Sequence, residues 1–180
     1  MGQQRFRAMY AQHYEAVLRY ARRRVGADAA PDVAAEVFAT AWRRIDAVPR
    51  DALPWLYGVA RNTVASHVRA ERHAVHLAER VAHTHPPGTG RDAGDQVAAR
   101  HLVLAAWSSL AEPDRELLAL IGWEGLTVRQ AARALGCSAA TCSVRLHRAR
   151  ARLRSALAQQ ERGGAGELQG EQDEKGQAWV

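Results

Sequence analysis

The sequence predicts an all-α protein of two small helical domains joined by a flexible linker. Three observations predict it. Apolar residues recur every three or four positions in both halves of the chain. No run alternates with the period of two that a half-buried strand shows. A proline- and glycine-rich stretch, HTHPPGTGRDAGD, separates the halves and can neither propagate a helix nor supply a core. With 180 residues, 47% of them apolar, the chain has enough material to bury a core.

The first helix is expected over about Arg5 to Val25, where Met9, Tyr10, Tyr14, Val17, Leu18, Ala21 and Val25 form one stripe, and Gly26 ends it. Asp28 can cap a second helix, with Pro31 in its first turn and Val33, Val37, Phe38, Ala41, Trp42 and Ile45 on its apolar face. A break from Asp46 to Leu53 precedes a third helix from about Trp55 to His73, facing inward with Leu56, Val59, Ala60, Thr63, Val64 and Val68. After the linker, helices are expected over Val97 to Leu110 and from Pro113 through Leu117, Leu118 and Ile121. The domain division is therefore 1–73, a linker over 74–96, and 97–160. The tail 161–180 is glycine-rich with five acids against two bases, and disorder is expected there.

Within the second domain, Thr127 and Gln130 form a capping-box pair ahead of a short helix with Val128, Ala131, Ala132 and Leu135 on one face. Gly136, Cys137 and Ser138 make a turn of the length a helix-turn-helix uses, and Ser138 can cap the next helix, Ala139 to about Ala158. Ala131 and Ala132 leave room for a close crossing, and Val144 or Leu146, with Leu153 and Leu157, can seat the second helix on the core.

The formal charge of +6 is a weak sign of a polyanionic partner, because all basic residues except Lys175 are arginine, as a GC-rich genome would also give. Charge placement is stronger. Residues 127–160 carry Arg129, Arg133, Arg145, Arg148, Arg150, Arg152 and Arg154 and not one acid, which genomic bias alone would not produce. The N-terminal part of the second helix is thus expected in a DNA major groove. Thr141, Ser143, Val144, His147 and Arg148 are the candidates for base edges, and Arg129, Arg145 and Arg150 for phosphates.

These residues resemble a family, the extracytoplasmic function (ECF) group of the sigma factors of bacterial RNA polymerase, over most of residues 5–158. LAEPDRELLALIGWEGLTVRQAARALGCSAATCSVRLHRARARLR looks like the family's region 4, including R-L-H-R-A-R at Arg145 to Arg150. Asp32, Glu36, Phe38, Trp42 and Arg43 match the region 2 pattern D-x-x-Q-E-x-F-x-x-x-W-R. Trp55, Leu56, Ala60, Arg61, Asn62 and Arg69 match W-L-x-x-I-A-R-N-x-x-x-D-x-x-R. The chain departs from these patterns at Ala35, at Ser66 and at Ser143, where Gln, Asp and a long basic residue are usual.

The resemblance implies that region 4 binds an upstream promoter element as duplex, while region 2 holds the downstream element as a melted strand with a flipped base. It assigns the melted strand to Trp55, Arg61, Asn62, His67 and Arg69, with the loop Asp46 to Pro54 around the flipped base. It assigns polymerase docking to Asp32, Glu36, Trp42 and Arg43. The implied partners are core RNA polymerase, promoter DNA and an anti-sigma factor, with no small-molecule substrate.

Other readings are blander. Tyr14 and Phe38 are expected in the core. Asp32 and Glu36, four apart on one helix, are solvated charges rather than an acid–base pair, because no nucleophile or convergent histidine accompanies them. His73, His76, His83 and His85 cluster without a ligand spacing, so no metal or cofactor is expected. Cys137 and Cys142 sit five apart, an offset that does not bring sulfurs together on a helix. With no zinc quartet and no apolar run of membrane length, the chain is expected in the cytoplasm. Neither a nucleophile motif nor a glycine-rich phosphate loop is present, so no catalytic residue and no enzyme is expected. Three functions remain open: a promoter-specificity factor for RNA polymerase, a stand-alone helix-turn-helix regulator, and a degenerate sigma-like interaction module.

Overall fold

A computed structural model describes the backbone of residues 2–79 and 94–177 and the side chains of residues 2–70, 102–159 and 162. The centre of the expected linker, residues 80–93, lies outside the described residues, as do the side chains of the four clustered histidines. Every regular element among the described residues is helical: α1 (Gly2–Arg43), a 3-10 turn (Ile45–Ala47), α2 (Leu53–Glu79), α3 (Gly94–Ser109), α4 (Glu112–Gly122), α5 (Val128–Leu135) and α6 (Ala139–Gln177).

α1 is broken at Gly26, whose φ of 82° and ψ of 177° lie where a side chain is strained. The two helices expected on either side of that glycine therefore form, and Pro31 falls near the start of the second, where its missing N–H has no cost. They fold back on each other. The Phe6 ring lies 6.4 Å from Phe38 and 5.1 Å from Trp42, and Tyr10 packs edge-on to Phe38 at 4.8 Å. Phe38 is buried as expected, Tyr14 is half-buried, and Trp42 remains 49% exposed. The loop before α2 is held from the other end of α1, where Arg5 donates to the carbonyl oxygens of Ile45 and Val48. Val48, Ala52 and Pro54 anchor it from below as buried side chains.

The chain divides into two compact units. The first joins Met1–Pro87 to Leu120–Cys142, and the second contains Gly88–Ala119 and Ser143–Val180. The core of the first unit includes Val17, Tyr20, Val33, Val37, Leu56 and Ala60, all inaccessible to solvent or nearly so. In the second unit Ala106, Leu117 and Ala149 are fully buried, and Leu146 is nearly so. Of the two residues considered for seating α6, Leu146 is buried while Val144 is 51% exposed. Asp114, itself buried, pairs with Arg152 at 2.5 Å.

The backbone helix of α6 runs on to Gln177, past Glu161, from which the glycine content suggested loss of order. Glu, Gln and Ala between the glycines are good helix formers, and a helix already nucleated extends more cheaply than a new one begins.

The ends of α5 follow their sequence signals. Gln130 N–H donates to Thr127 Oγ1 at 3.3 Å, and Thr127 N–H donates to Gln130 Oε1 at 3.0 Å, completing the capping box. Gly136 takes the left-handed conformation, its N–H reaching the Arg133 carbonyl, while Cys137 N–H bonds to the Ala132 carbonyl at 2.9 Å. That pair of bonds is a Schellman stop. Replacing Thr127 with alanine is expected to cost about 1 kcal/mol and Gly136→Ala a similar amount, read as lowered midpoints in urea unfolding.

Candidate nucleic-acid interface

The arginine-rich face is carried by α6. Its start is set by Ser138, whose Oγ accepts the Thr141 N–H at 3.0 Å and shares a 2.8 Å hydrogen bond with the Thr141 hydroxyl. Thr141, Val144, Arg145 and Arg148 follow at helical intervals of three and four along one face, with Ser143, His147 and Arg150 beside them. Arg145 is half-buried and the other six are exposed. Arg129 is exposed on α5. Cys142 is fully buried and Cys137 half-buried, and the two are not joined in a disulfide.

α2 separates its residues cleanly by face. Leu56, Tyr57, Ala60, Thr63 and Val64 point into the first unit. Trp55, Gly58, Asn62, Ser66 and Arg69, three or four apart, form the opposite stripe, with Arg61 on its flank. Trp55, Arg61 and His67 are half-buried, whereas Asn62 and Arg69 are exposed. Ser66, which stands in place of an acid, accepts from Arg69 at 3.1 Å. Asp32, Glu36 and Arg43 share an exposed face of the second half of α1, with Trp42 alongside, and Arg43 donates to Thr40 Oγ1 at 2.9 Å. Among the described residues no group of three or more His, Cys, Asp or Glu could hold a metal ion, and no helix is long and apolar enough to cross a membrane.

Three contacts in the first unit escaped the sequence reading. Glu124 has a side chain only 3% exposed, yet its carboxylate is fully answered: Arg23 lies 2.5 Å away, Arg24 at 3.7 Å, and the Tyr57 hydroxyl donates at 3.1 Å. Arg24 in turn stacks on the Tyr20 ring at 3.4 Å. Asp51, in the loop before α2, pairs with Arg133 of α5 at 2.5 Å and accepts from Gln130 at 3.3 Å. A Cβ placed on Gly58 would come within 3.0 Å of the Ala134 carbonyl oxygen, so α5 approaches α2 as closely as a backbone without a side chain allows. The sequence holds one trace of this, a glycine inside a helix with no capping role, which costs about 0.5–1 kcal/mol relative to alanine. Nothing local marks Asp51 or Glu124.

Burial raises the pKa of Tyr57 above its ordinary 10.0, and the neighbouring Glu124 charge and hydrogen bond push it further up. The folded chain thus keeps that proton when the unfolded chain has begun to lose it. The resulting stability is present below pH 10 and is lost as the pH climbs beyond it. Alkaline unfolding followed by ultraviolet difference absorbance is expected to show a late tyrosine ionisation coincident with unfolding, one tyrosine smaller in Tyr57→Phe. Glu124→Ala is expected to destabilise the chain by about 2 kcal/mol, since two arginines and a phenol lose their buried partner.

With this geometry in hand, comparisons with known proteins agree in kind. The family model described as Sigma-70 region 2 matches residues 9–74, and that described as Sigma-70, region 4 matches residues 100–153. The chain is 32% identical over 159 residues to the ECF RNA polymerase sigma factor SigL of Mycobacterium tuberculosis, covering 84% of this chain and 88% of that protein. It is 36% identical over 139 residues to the probable RNA polymerase sigma factor RfaY of Xanthomonas campestris pv. campestris. That match covers 73% of this chain but only 34% of the relative, so the chain spans about a third of its length. Among solved structures, the sigma factor RpoE of Bartonella quintana, in complex with the anti-sigma factor NepR, superimposes with a TM-score of 0.58 at 26% identity. It covers 85% of this chain and 96% of that one.

Proposed function

Because the chain belongs to the ECF group of the sigma-70 family, we propose that it binds core RNA polymerase, recognises a two-element promoter, melts the downstream element and directs transcription initiation. The observation that carries this reading is the presence, in order on one chain, of both sigma regions, each with an exposed polar face suited to its task. Functionally the chain divides into residues 1–73, a linker over 74–96, residues 97–160 and the tail 161–180.

In this reading α6 enters the major groove of the upstream element. Thr141, Ser143, Val144, His147 and Arg148 meet base edges, while Arg129, Arg145 and Arg150 hold phosphates. Thr141 already shares its hydroxyl with Ser138, so its methyl group is the part left for a base. The α2 stripe receives the melted strand: Trp55 supplies a stacking surface, Asn62 and Arg61 meet the flipped base, and Arg69 and His67 follow the backbone. Asp32, Glu36, Trp42 and Arg43 form the polymerase-docking face. No covalent chemistry is required, because binding energy is exchanged for strand opening, which costs on average about 1.4 kcal/mol per base-pair step. Such a factor works in the cytoplasm, and an anti-sigma factor like the one bound to the Bartonella relative is the regulatory partner it calls for.

The test is run-off transcription with purified core polymerase on fragmented genomic DNA of the source organism, with and without the chain. Discrete start sites sharing two spaced elements are expected. Arg148→Ala is expected to weaken upstream-element binding by about 1–3 kcal/mol, and Asn62→Ala to suppress transcripts from duplex templates more than from templates already opened over the downstream element. Tight operator binding without polymerase and no transcripts with it would instead establish a stand-alone regulator.

A further inference from the structure

Val144 contributes little to the packing of α6. It is 51% exposed, while Leu146 and Ala149 of the same helix are buried and Leu153 and Leu157 are half-buried. Among the described residues of α6 it is the one large apolar side chain left exposed. Valine also holds a helix less well than alanine, because its branched Cβ loses rotamer freedom against the preceding turn. The position thus forgoes both burial and helix propensity.

Its neighbours are polar. Ser143 and Arg145 flank it in sequence, and His147 and Arg148, three and four residues on, share its side of the helix and are exposed. Val144 therefore faces whatever those arginines face, which in the proposed reading is the major groove. A valine side chain has no donor or acceptor, so it cannot tell apart the carbonyl, amino and N7 groups on base edges. The one apolar feature that the four bases present in that groove is the C5-methyl group of thymine. A cytosine at the same place would lose water from its N4 amino group and gain no partner. The stiffness that costs valine helix propensity helps here, since little rotamer freedom remains to be lost on contact.

From this placement we infer that Val144 is a specificity-determining residue, which reads the C5-methyl group of one thymine in the upstream element. The inference rests on the placement of α6 in the major groove. Side chains four apart on a helix stand about 6 Å apart, and base pairs stack about 3.4 Å apart, so Val144 and Arg148 reach positions within about two base pairs of each other. Arginines alone favour guanine. Val144 adds a thymine beside the base pair that Arg148 reads.

The probe is a duplex with a randomised core, selected for retention by the full chain with core RNA polymerase and, in parallel, by the full chain alone. Each thymine of the enriched sequence is then replaced singly by uracil, on either strand, which removes the C5-methyl group and leaves base pairing intact. One thymine is expected at which uracil weakens binding about fourfold, the ratio that burial of one methyl group gives. It is expected within about two base pairs of the position whose base preference Arg148→Ala relaxes. Val144→Ala withdraws the side chain from the groove, and alanine is the better helix former. That variant is expected to bind the thymine and uracil probes alike, about as weakly as the unaltered chain binds the uracil probe. Val144→Ile keeps the apolar branch and is expected to keep the discrimination.

No loss at any thymine, or a loss of the same size in Val144→Ala, would overturn the inference. If Arg148→Ala still relaxes a base preference, the placement of α6 in the groove stands without it. If Arg148→Ala relaxes none, or neither selection enriches a sequence, that placement fails as well.

Discussion

A carboxylate leaves water only where cations and donors replace its hydration, and an isolated one inside a protein would take up a proton instead. Glu124 meets that condition with two arginines from the end of the first half of α1 and a tyrosine from α2. The requirement is geometric as well as electrostatic. Arg23 and Arg24 are adjacent near the end of the first half of α1, just before the break at Gly26, and Arg24 is steadied by the Tyr20 ring beneath it. Tyr57 reaches it because its ring packs 5.1 Å from Tyr20. One buried charge thus fixes the relative placement of α1, α2 and the segment leading to α5.

From that anchor the rest of the first unit follows. With residue 124 held, Gly125 turns the chain at a φ of 68°, Thr127 opens α5, and the helix lies along α2 where Gly58 admits it. Arg133 and Gln130 then meet Asp51, a residue that the Arg5 contacts to the same loop hold near α1. The polar pair on the rim adds register rather than much strength, since half-exposed ion pairs contribute at most about 1 kcal/mol. The strong contact is buried, and the weak one is made at the surface by a group that phosphate could claim.

Much of the fold was legible because it rests on local rules. The period of apolar residues marks α1 to α6, Gly26 and Gly136 are placed by backbone freedom, and Thr127 with Gln130 announces α5 before any tertiary contact is considered. The arginine-rich face of α6 was legible for a different reason, the absence of acids over a long stretch. What stayed hidden is pairing at a distance. Asp51 and Arg133 are 82 residues apart, and Glu124 and Arg23 are 101 apart, separations over which no periodicity speaks. The exchange between Val144 and Leu146 was undecided because two residues on adjacent faces of one helix differ only in which side meets the core.

The break at Gly26 also bears on how the chain is made. It lets residues 2–43 close on themselves, Phe6 against Phe38 and Trp42, with contacts that span fewer than half the residues synthesised by the end of α2. About 80 residues then separate Arg43 from Glu124. At about 5–20 residues per second of translation, the N-terminal helices wait roughly 4–16 s for the acid that completes them. During that interval Arg23 and the Tyr57 hydroxyl have no carboxylate to meet, while Asn62, Ser66 and Arg69 keep the outer face of α2 polar.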